Sequence, residues 1–488
     1  MCSEPDSPAD NVERKPVALV LCSGTRVKAR SVEWESREEI SLKQHEYDVV
    51  IVGARCGGAT LATFLARAGA RVLLLDKDVM PSDHVLSTHS ISPPGMDVLD
   101  EAGVGEAVRS VTPPSHSLRL NINGEFIDLK LPEHRGVYCP RRKRLDGLLQ
   151  GAAVGAGAQF LDRTRVTSLI QKDGRVHGVR AIVGGRERTL KAGLVVGADG
   201  RQSTVARLAG AEEYLAYDAP RATYWGYWDA ASLWKTDSAY RFDAYFALDG
   251  PHIRAIFQTD QDQLVIASSP PIDQVEMWRA DPRRALRDAL DSDPITAGLI
   301  RGSSPHGRIC GTVKERFFFR RAVGRGWALV GDAGHHKEWL LGDGITEALL
   351  QARSLAVAIG AGTDAALSRW WRARDVAALP LYFVGQIVGA PKRPAEIQRV
   401  FFSAFARQPA LTARMVAVID RQLSPFEALP IPQVLSWITV AALRGRWRVI
   451  PEVLGMGRRA LAADCEMRLR CALLAETEAL LPLAQKAA

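Results

Sequence analysis

Three short segments carry residue types and spacings suited to holding a nucleotide. The first is Gly53-Ala54-Arg55-Cys56-Gly57-Gly58. A turn that brings backbone against a phosphate needs residues without side chains. A helix starting there adds unsatisfied N–H groups and a positive dipole end for a pyrophosphate. Asp76 stands 18 residues past Gly58, with Lys77 beside it; a carboxylate there can accept hydrogen bonds from ribose hydroxyls. The second segment is Asp199-Gly200-Arg201-Gln202-Ser203-Thr204-Val205. The third is Gly331-Asp332-Ala333-Gly334-His335, with Gly342-Asp343-Gly344 soon after. An aspartate at such a turn can accept from polyol hydroxyls while a neighbouring helix start meets phosphate or a ring oxygen. Taken singly, each of the last two is also an Asx turn, and the middle glycine of the strict dinucleotide fingerprint is Arg55. All three in order, about 140 residues apart, are hard to explain as turns.

Each segment needs a strand before it and a helix after it. Asp48-Val49-Val50-Ile51-Val52 is an apolar run with the look of a buried strand, and the small and apolar residues Ala59 to Ala68 form a helix closed by Gly69. Arg71 to Leu75 is a second strand ending at Asp76, which completes a βαβ opening. Leu194-Val195-Val196 leads into the second segment and Ala328-Leu329-Val330, a final strand, into the third. Between them, alternation about Asn123-Gly124 predicts a hairpin at 115–131. Leu145 to Gly157 predicts a helix, and Val176 to Val183 with Thr189 to Ala192 a second hairpin. Residues 220–270 hold aromatic-rich strands suited to covering a substrate pocket. Gly344 to Ala361 and most of 365–488 follow a helical period. Residues 1–45 are polar, charge-mixed and aperiodic, and are expected to be a flexible extension.

Bulk composition narrows the function classes. With 488 residues, 47% hydrophobic and 24% charged, the chain has the make-up of a globular protein of two or three domains. The net charge of +8 suggests nucleic acid only if it clusters. The densest run, Arg141 to Arg144, is followed by Asp146 and has no interleaved aromatics, so no nucleic-acid partner is expected. Seven scattered cysteines (2, 22, 56, 139, 310, 465 and 471) form no CxxC pair, which points to reduced thiols in a cytoplasmic protein and to no metal site. The apolar run at 16–24 lacks the flanks of a signal peptide. The longest uncharged stretches, 376–391 and 428–443 in outline, are too short and proline-interrupted to span a bilayer. Arginines 444, 446, 448, 458 and 459 lie beside apolar residues, which allows a membrane-surface element there; a core-packing helical appendage is the expectation.

On these residues the chain resembles the FAD-dependent monooxygenase family typified by p-hydroxybenzoate hydroxylase, whose relatives include geranylgeranyl reductases and flavin-dependent halogenases. The matching residues are the Gly53 turn with Asp76, the segment Arg142-Lys143-Arg144-Leu145-Asp146, residues 199–207, and 331–336 with 342–348. The resemblance covers about residues 46–380 and implies a mixed α/β fold. A Rossmann-like FAD-binding domain (about 46–114, 136–218 and 305–380) would be interleaved with a substrate-covering sheet (about 115–135 and 219–304). A helical region would follow at 381–488. It implies that Gly53, Arg55, Gly58 and Asp76, with Lys77, hold the ADP half of FAD, and that Arg142 reaches the cofactor from the start of its helix. Asp199 and Gly200 would brace the fingerprint loop, Asp332 would bind the ribityl chain, and Gly342 and Gly344 would complete the flavin loop. No second dinucleotide fingerprint follows a strand, so NAD(P)H is expected to dock transiently as reductant.

The chain also departs from the family. The proline that relatives carry eight residues after the first glycine of the third motif is Trp339, and the asparagine expected after Gly344 is Thr346. In monooxygenases that loop shapes the space where a flavin hydroperoxide forms; an indole there would stack on the ring or fill the oxygen pocket. His335 and His336 are candidate acid–base groups near flavin, alongside a purely structural reading as hydrogen-bonded loop histidines; His89 stands similarly. Cys139 reads as a small buried hydrophobe. Trp225-Gly226-Tyr227-Trp228 is similar to the tryptophan pair of halogenases but lacks their Ile-Pro, having Asp229-Ala230, and reads as aromatic packing of a sheet. The expected activity is NAD(P)H-dependent hydroxylation or epoxidation of a bulky aromatic or polyketide-like compound. The alternatives are a flavin reductase, dehydrogenase or halogenase, and a flavin-binding protein with lost catalysis.

Overall fold

The structure, a computed structural model, describes residues 47–83, 87, 89–229, 234, 240–390, 395–425, 427–428, 431–459, 461–462, 464–466 and 469. The expectations placed on residues 1–45, on Ala230 and on Cys471 lie outside them.

The strands form three sheets. The first has eight members: β1 (Tyr47–Val52), β2 (Val72–Leu75), β5 (Gln159–Leu161), β6 (Arg165–Lys172), β7 (Arg175–Val183), β8 (Arg186–Gly197), β16 (Val323–Gly324) and β17 (Trp327–Leu329). Its central order is β17-β8-β1-β2-β5, all parallel. Parallel strands covered on both faces are continuous apolar runs, as β1 and β2 are, and both are buried. The helix Cys56–Arg67 crosses between them and buries Ala59 and Ala62, whose small side chains let it lie close to the sheet. The hairpin expected at 176–192 is β7 with β8. The strand expected separately at 194–196 is the second half of β8, one 12-residue strand that leaves the hairpin and enters the parallel sheet.

The second sheet runs β14-β10-β13-β12-β11-β3-β4. Its strands are β3 (Ser117–Ile122), β4 (Glu125–Lys130), β10 (Thr223–Trp228), β11 (Ala244–Ala247), β12 (Ile253–Gln258), β13 (Leu264–Ser269) and β14 (Pro305–Thr312). The hairpin about Asn123-Gly124 is β3–β4, with both turn residues at positive φ as its type demands. Successive side chains alternate faces, and both faces are buried at the central strands β10, β12 and β13. Tyr224, Trp228, Tyr245, Ile256 and Ile266 meet the helices Val275–Ala280, Pro282–Asp291 and Pro294–Leu299. Trp225, Tyr227, Phe246, Phe257 and Val265 face the other way.

The third sheet joins β9 (Glu213–Asp218), β15 (Arg316–Arg320) and β18 (His335–His336). The two histidines therefore sit on a short strand rather than in a loop, and Ala328 to Val330 is not the final strand. Beyond it lie the helices Gly344–Gly360, Asp364–Gly389, Ala395–Arg407, Pro409–Ile419 and Ile431–Leu443. The Asp364 helix is continuous through Pro380, so position 380 falls within a helix.

Candidate functional site

Backbone register brings the three motifs together. Val52 is paired with Leu75 on one side and Gly197 on the other, and Gly197 with Leu329. The carboxyl ends of four neighbouring parallel strands thus lie in one row, and Gly53, Asp76, Asp199 and Asp332 follow them. That edge is where open α/β sheets bind ligands.

The fingerprint turn is closed by backbone contact. Gly53 has φ +106°, and a Cβ on it would come within 2.3 Å of the Ala198 carbonyl oxygen; one on Gly58 would come within 1.8 Å of the Gly53 oxygen. Only glycine fits at either place. The Ala198–Asp199 backbone therefore braces the loop, while the Asp199 side chain holds its own turn, accepting from the Ser203 hydroxyl and from the N–H groups of Thr204 (2.7 Å) and Val205 (3.2 Å). Gly200, at φ +75°, lets that turn reverse. Asp76 is buried and accepts from the N–H groups of Ala54 (2.8 Å) and Asp78 (3.0 Å). Burial pushes its carboxyl above the ordinary value, and these two N–H groups oppose the rise. Each oxygen keeps a second lone pair for a sugar hydroxyl. Lys77 is exposed and makes no ion pair among the described residues.

Sequence reasoning missed the residue that organises this edge, Asp146. Fully buried, it accepts from Arg55 Nη1 (2.9 Å), from Arg142 Nη2 (3.1 and 3.2 Å) and from the Cys56 thiol (3.3 Å). Arg55, in the place of the middle glycine, also donates to the Ser82 carbonyl and hydroxyl. Burial opposes the Arg142 charge, but Asp146 foremost and Asp332 further off keep the guanidinium firmly protonated. The available signal was the i,i+4 spacing of Arg142 and Asp146 on the helix Arg142–Gly155.

Asp332 lies 3.4 Å from His336 Nδ1. Burial disfavours the His336 charge, yet Asp332 and then Glu315 outweigh it and raise its pKa to about 9. His335 is stacked on Phe319 at 4.4 Å between centroids, and burial holds its pKa well below the usual value. Both are packed side chains of the third sheet. Gly342, at φ +64°, packs against Ser90, and Gly344 opens its helix. Beneath this loop lies a second unforeseen cluster. Lys337 Nζ donates to Asp343 and Glu347, both at 2.9 Å, and Arg421 donates to the same two carboxylates. Asp343, at the start of the helix, and Glu347, one turn on, were the hint of a cationic partner; the separation of 74 positions between Glu347 and Arg421 hid which one.

A wall of aromatic residues stands opposite the loop. Trp225 and Tyr227 of β10 project beside His89, whose Nε2 is 2.5 Å from the Tyr227 hydroxyl. Arg141 lies over the Tyr227 ring, 3.9 Å from its centroid. Ser92, three residues past His89, bonds to Asp343 and Thr346, which ties the segment beside the wall to the loop before the Gly344 helix. Trp339 belongs to this wall, packed against the cluster that holds Trp225, Phe257 and Val265, as are Leu118 and Phe246 of the second sheet and Val416 and Ile419 of the Pro409 helix. Cys139 is buried there, its thiol pushed up by burial, as a small hydrophobe would be. Trp228 is buried on the opposite face of the sheet and takes no part.

The residues present fit FAD. The helix at Cys56 has no side chain capping its first turn, which leaves its N–H groups for an anion. Arg142 Nε and Trp339 Nε1 are buried without a hydrogen-bond partner among the described residues, donors that a ligand's acceptors would satisfy. Among the described residues no cluster is suited to a metal and no helix is long and apolar enough to cross a membrane.

Comparison with known proteins agrees. Residues 46–228 match the family described as FAD binding domain. The chain is 34% identical over 170 residues to 6-methylpretetramide 4-monooxygenase of Streptomyces rimosus, covering 33% of this chain and 40% of that protein. It is 24% identical over 325 residues to digeranylgeranylglycerophospholipid reductase 2 of Methanococcoides burtonii, covering 63% and 73%. The first match spans well under half the length of that relative. A flavin-dependent brominase shares the fold at TM-score 0.68 and 16% identity, over 82% of this chain and all of that one. Residues 46–228 are an FAD-binding domain, and the chain is similar to flavin-dependent monooxygenases and reductases over the segments given above.

Proposed function

We propose that the protein is an FAD-dependent monooxygenase that uses NAD(P)H as transient reductant and oxygenates a bulky, partly apolar organic substrate. The observation that carries this reading is the junction of the nucleotide-binding edge with the aromatic wall, joined through Ser92, Asp343 and Thr346. When bound, FAD supplies the redox chemistry. Gly53, Gly58 and the Cys56 helix start would receive its pyrophosphate, Arg55 and Arg142 would neutralise it, Asp76 would accept from the ribose and Asp332 from the ribityl chain, and the loop Gly342–Gly344 would line the flavin end of the site. Trp225, Tyr227, Phe246 and Trp339 exclude water and orient a flat or extended substrate. His89 and Tyr227 share a short hydrogen bond through which a proton at the Tyr227 hydroxyl can pass to His89 Nε2. The domain division belongs to the same proposal, with FAD-binding and sheet segments interleaved up to about residue 380 and a helical region after it.

The test is direct. Purified protein should be yellow and release FAD on heating. NADPH or NADH oxidation and oxygen uptake should rise together when an aromatic or polyketide-like substrate is added. Turnover that persists without oxygen points instead to a reductase. That second reading is favoured by the match to the digeranylgeranylglycerophospholipid reductases and by Trp339 standing in place of the loop proline. Bound flavin that neither nicotinamide bleaches refutes both.

A further inference from the structure

The helix Ile431–Leu443 contains no charged residue. One side of it is anchored: Val434, Trp437 and Ile438 pack with Phe401, Ala441 and Val449. The other side is open, with Leu435 58%, Val440 42% and Leu443 78% exposed. The chain then turns through Arg444-Gly445-Arg446-Trp447-Arg448, where Trp447 is 62% exposed, and Leu454 is open beyond it at 67%. Arg444, Arg448, Arg458 and Arg459 are exposed and make no ion pair among the described residues. Arg446 only approaches Glu396, at 3.8 Å. The one acid of this stretch, Glu452, accepts from the Ile397 N–H group and so is turned inward.

We infer that this face is a docking surface for an anionic lipid bilayer, with the helix lying in the plane of the interface. Uncharged apolar residues enter the acyl boundary, and Trp447 takes the headgroup level where an indole's apolar body and polar N–H are both satisfied. The arginines extend along the rim, their stems over apolar surface and their guanidinium groups on lipid phosphates. Charge complementarity selects this occupant over a second copy of the chain. A two-fold contact presents the same patch to itself, which sets one row of arginines against another. Among the described residues the fold offers anchoring without a spanning helix, and the Pro409 helix, through Val416 and Ile419, packs on the same apolar cluster as Trp339.

The test is flotation of the full chain, FAD-loaded, with vesicles of phosphatidylcholine alone and of phosphatidylcholine mixed with phosphatidylglycerol. Protein should float with the mixed vesicles and not with the neutral ones. The bound fraction should fall as salt rises, since the screening length shrinks from about 30 Å at 0.01 M to about 10 Å at 0.1 M. Arg444→Gln with Arg448→Gln should weaken partition about thirty-fold. Leu443→Ser with Trp447→Ser should abolish it. FAD content and circular dichroism should be unchanged in both, because the four side chains are exposed. A parent protein that stays at the bottom with anionic vesicles, or double variants that float as well as the parent, overturns the inference. So does a concentration-dependent dimer that Leu443→Ser with Trp447→Ser dissolves and vesicles ignore, which makes the face a homomeric interface.

Discussion

Asp146 holds three donors at once, and replacing it by alanine measures what that arrangement is worth. In Asp146→Ala, Arg142 loses its one ion pair within 4 Å among the described residues, whereas Arg55 keeps its 3.7 Å approach to Asp78. Stranding one buried guanidinium costs about 3–5 kcal/mol. With an unfolding entropy of about 2.1 cal/mol/K per residue over the roughly 440 residues from Glu46 onward, that cost lowers Tm by about 3–5 °C. Asp146→Asn keeps an oxygen acceptor and loses only the charge, so it should fall by about half as much. Scanning calorimetry at neutral pH reads the shift, and the visible absorbance of protein after gel filtration reads retained FAD, which should drop in parallel. An Asp146→Ala protein within about 1 °C of the parent that keeps its full flavin refutes the view that this carboxylate orients Arg55 and Arg142.

Gly58→Ala should abolish FAD retention, because its Cβ collides with the Gly53 carbonyl; spectroscopy of the purified protein settles it. Tyr227→Phe and His89→Ala should leave FAD bound and lower substrate-stimulated oxygen uptake by at least tenfold, in the range of lost acid–base assistance. Trp339→Pro should raise oxidase activity if the indole obstructs the flavin, and an unchanged rate discards the obstruction. Glu338, buried between Glu315 and Arg221, has its pKa raised to about 8 by burial foremost. The unfolded chain gives up that proton near its ordinary value of 4.5 while the folded chain keeps it. Stability from this group is therefore full below 4.5 and lost as pH rises through about 8. Glu338→Gln should flatten the decline of Tm across that window and leave Tm at pH 4 nearly unchanged.

The motifs legible in the sequence were those in which chemistry and local geometry coincide. Gly53 and Gly58 are glycines because backbone approaches backbone there, and Asp76 follows β2 because the strand ends there. What stayed hidden depended on pairing across the chain. Asp146 stood in the matching segment with no role of its own, because its partner Arg55 is 91 residues away. His335 and His336 looked like loop groups because a two-residue strand has no periodicity, and β15 gives them their partners. The aromatic-rich strands at 220–270 were readable. Which face of β10 met which neighbour was not, since both faces are apolar and only the packing of the helices at 275–299 distinguishes them.

Arg421 binds the Asp343 and Glu347 carboxylates from beyond every recognisable motif. The C-terminal helices are therefore not a detachable module. A chain cut near residue 380, where motif resemblance stops, would leave Asp343 and Glu347 sharing Lys337 alone, two buried negative charges against one positive. Shortened versions built by homology to the fingerprint should be expected to lose the flavin along with the tail.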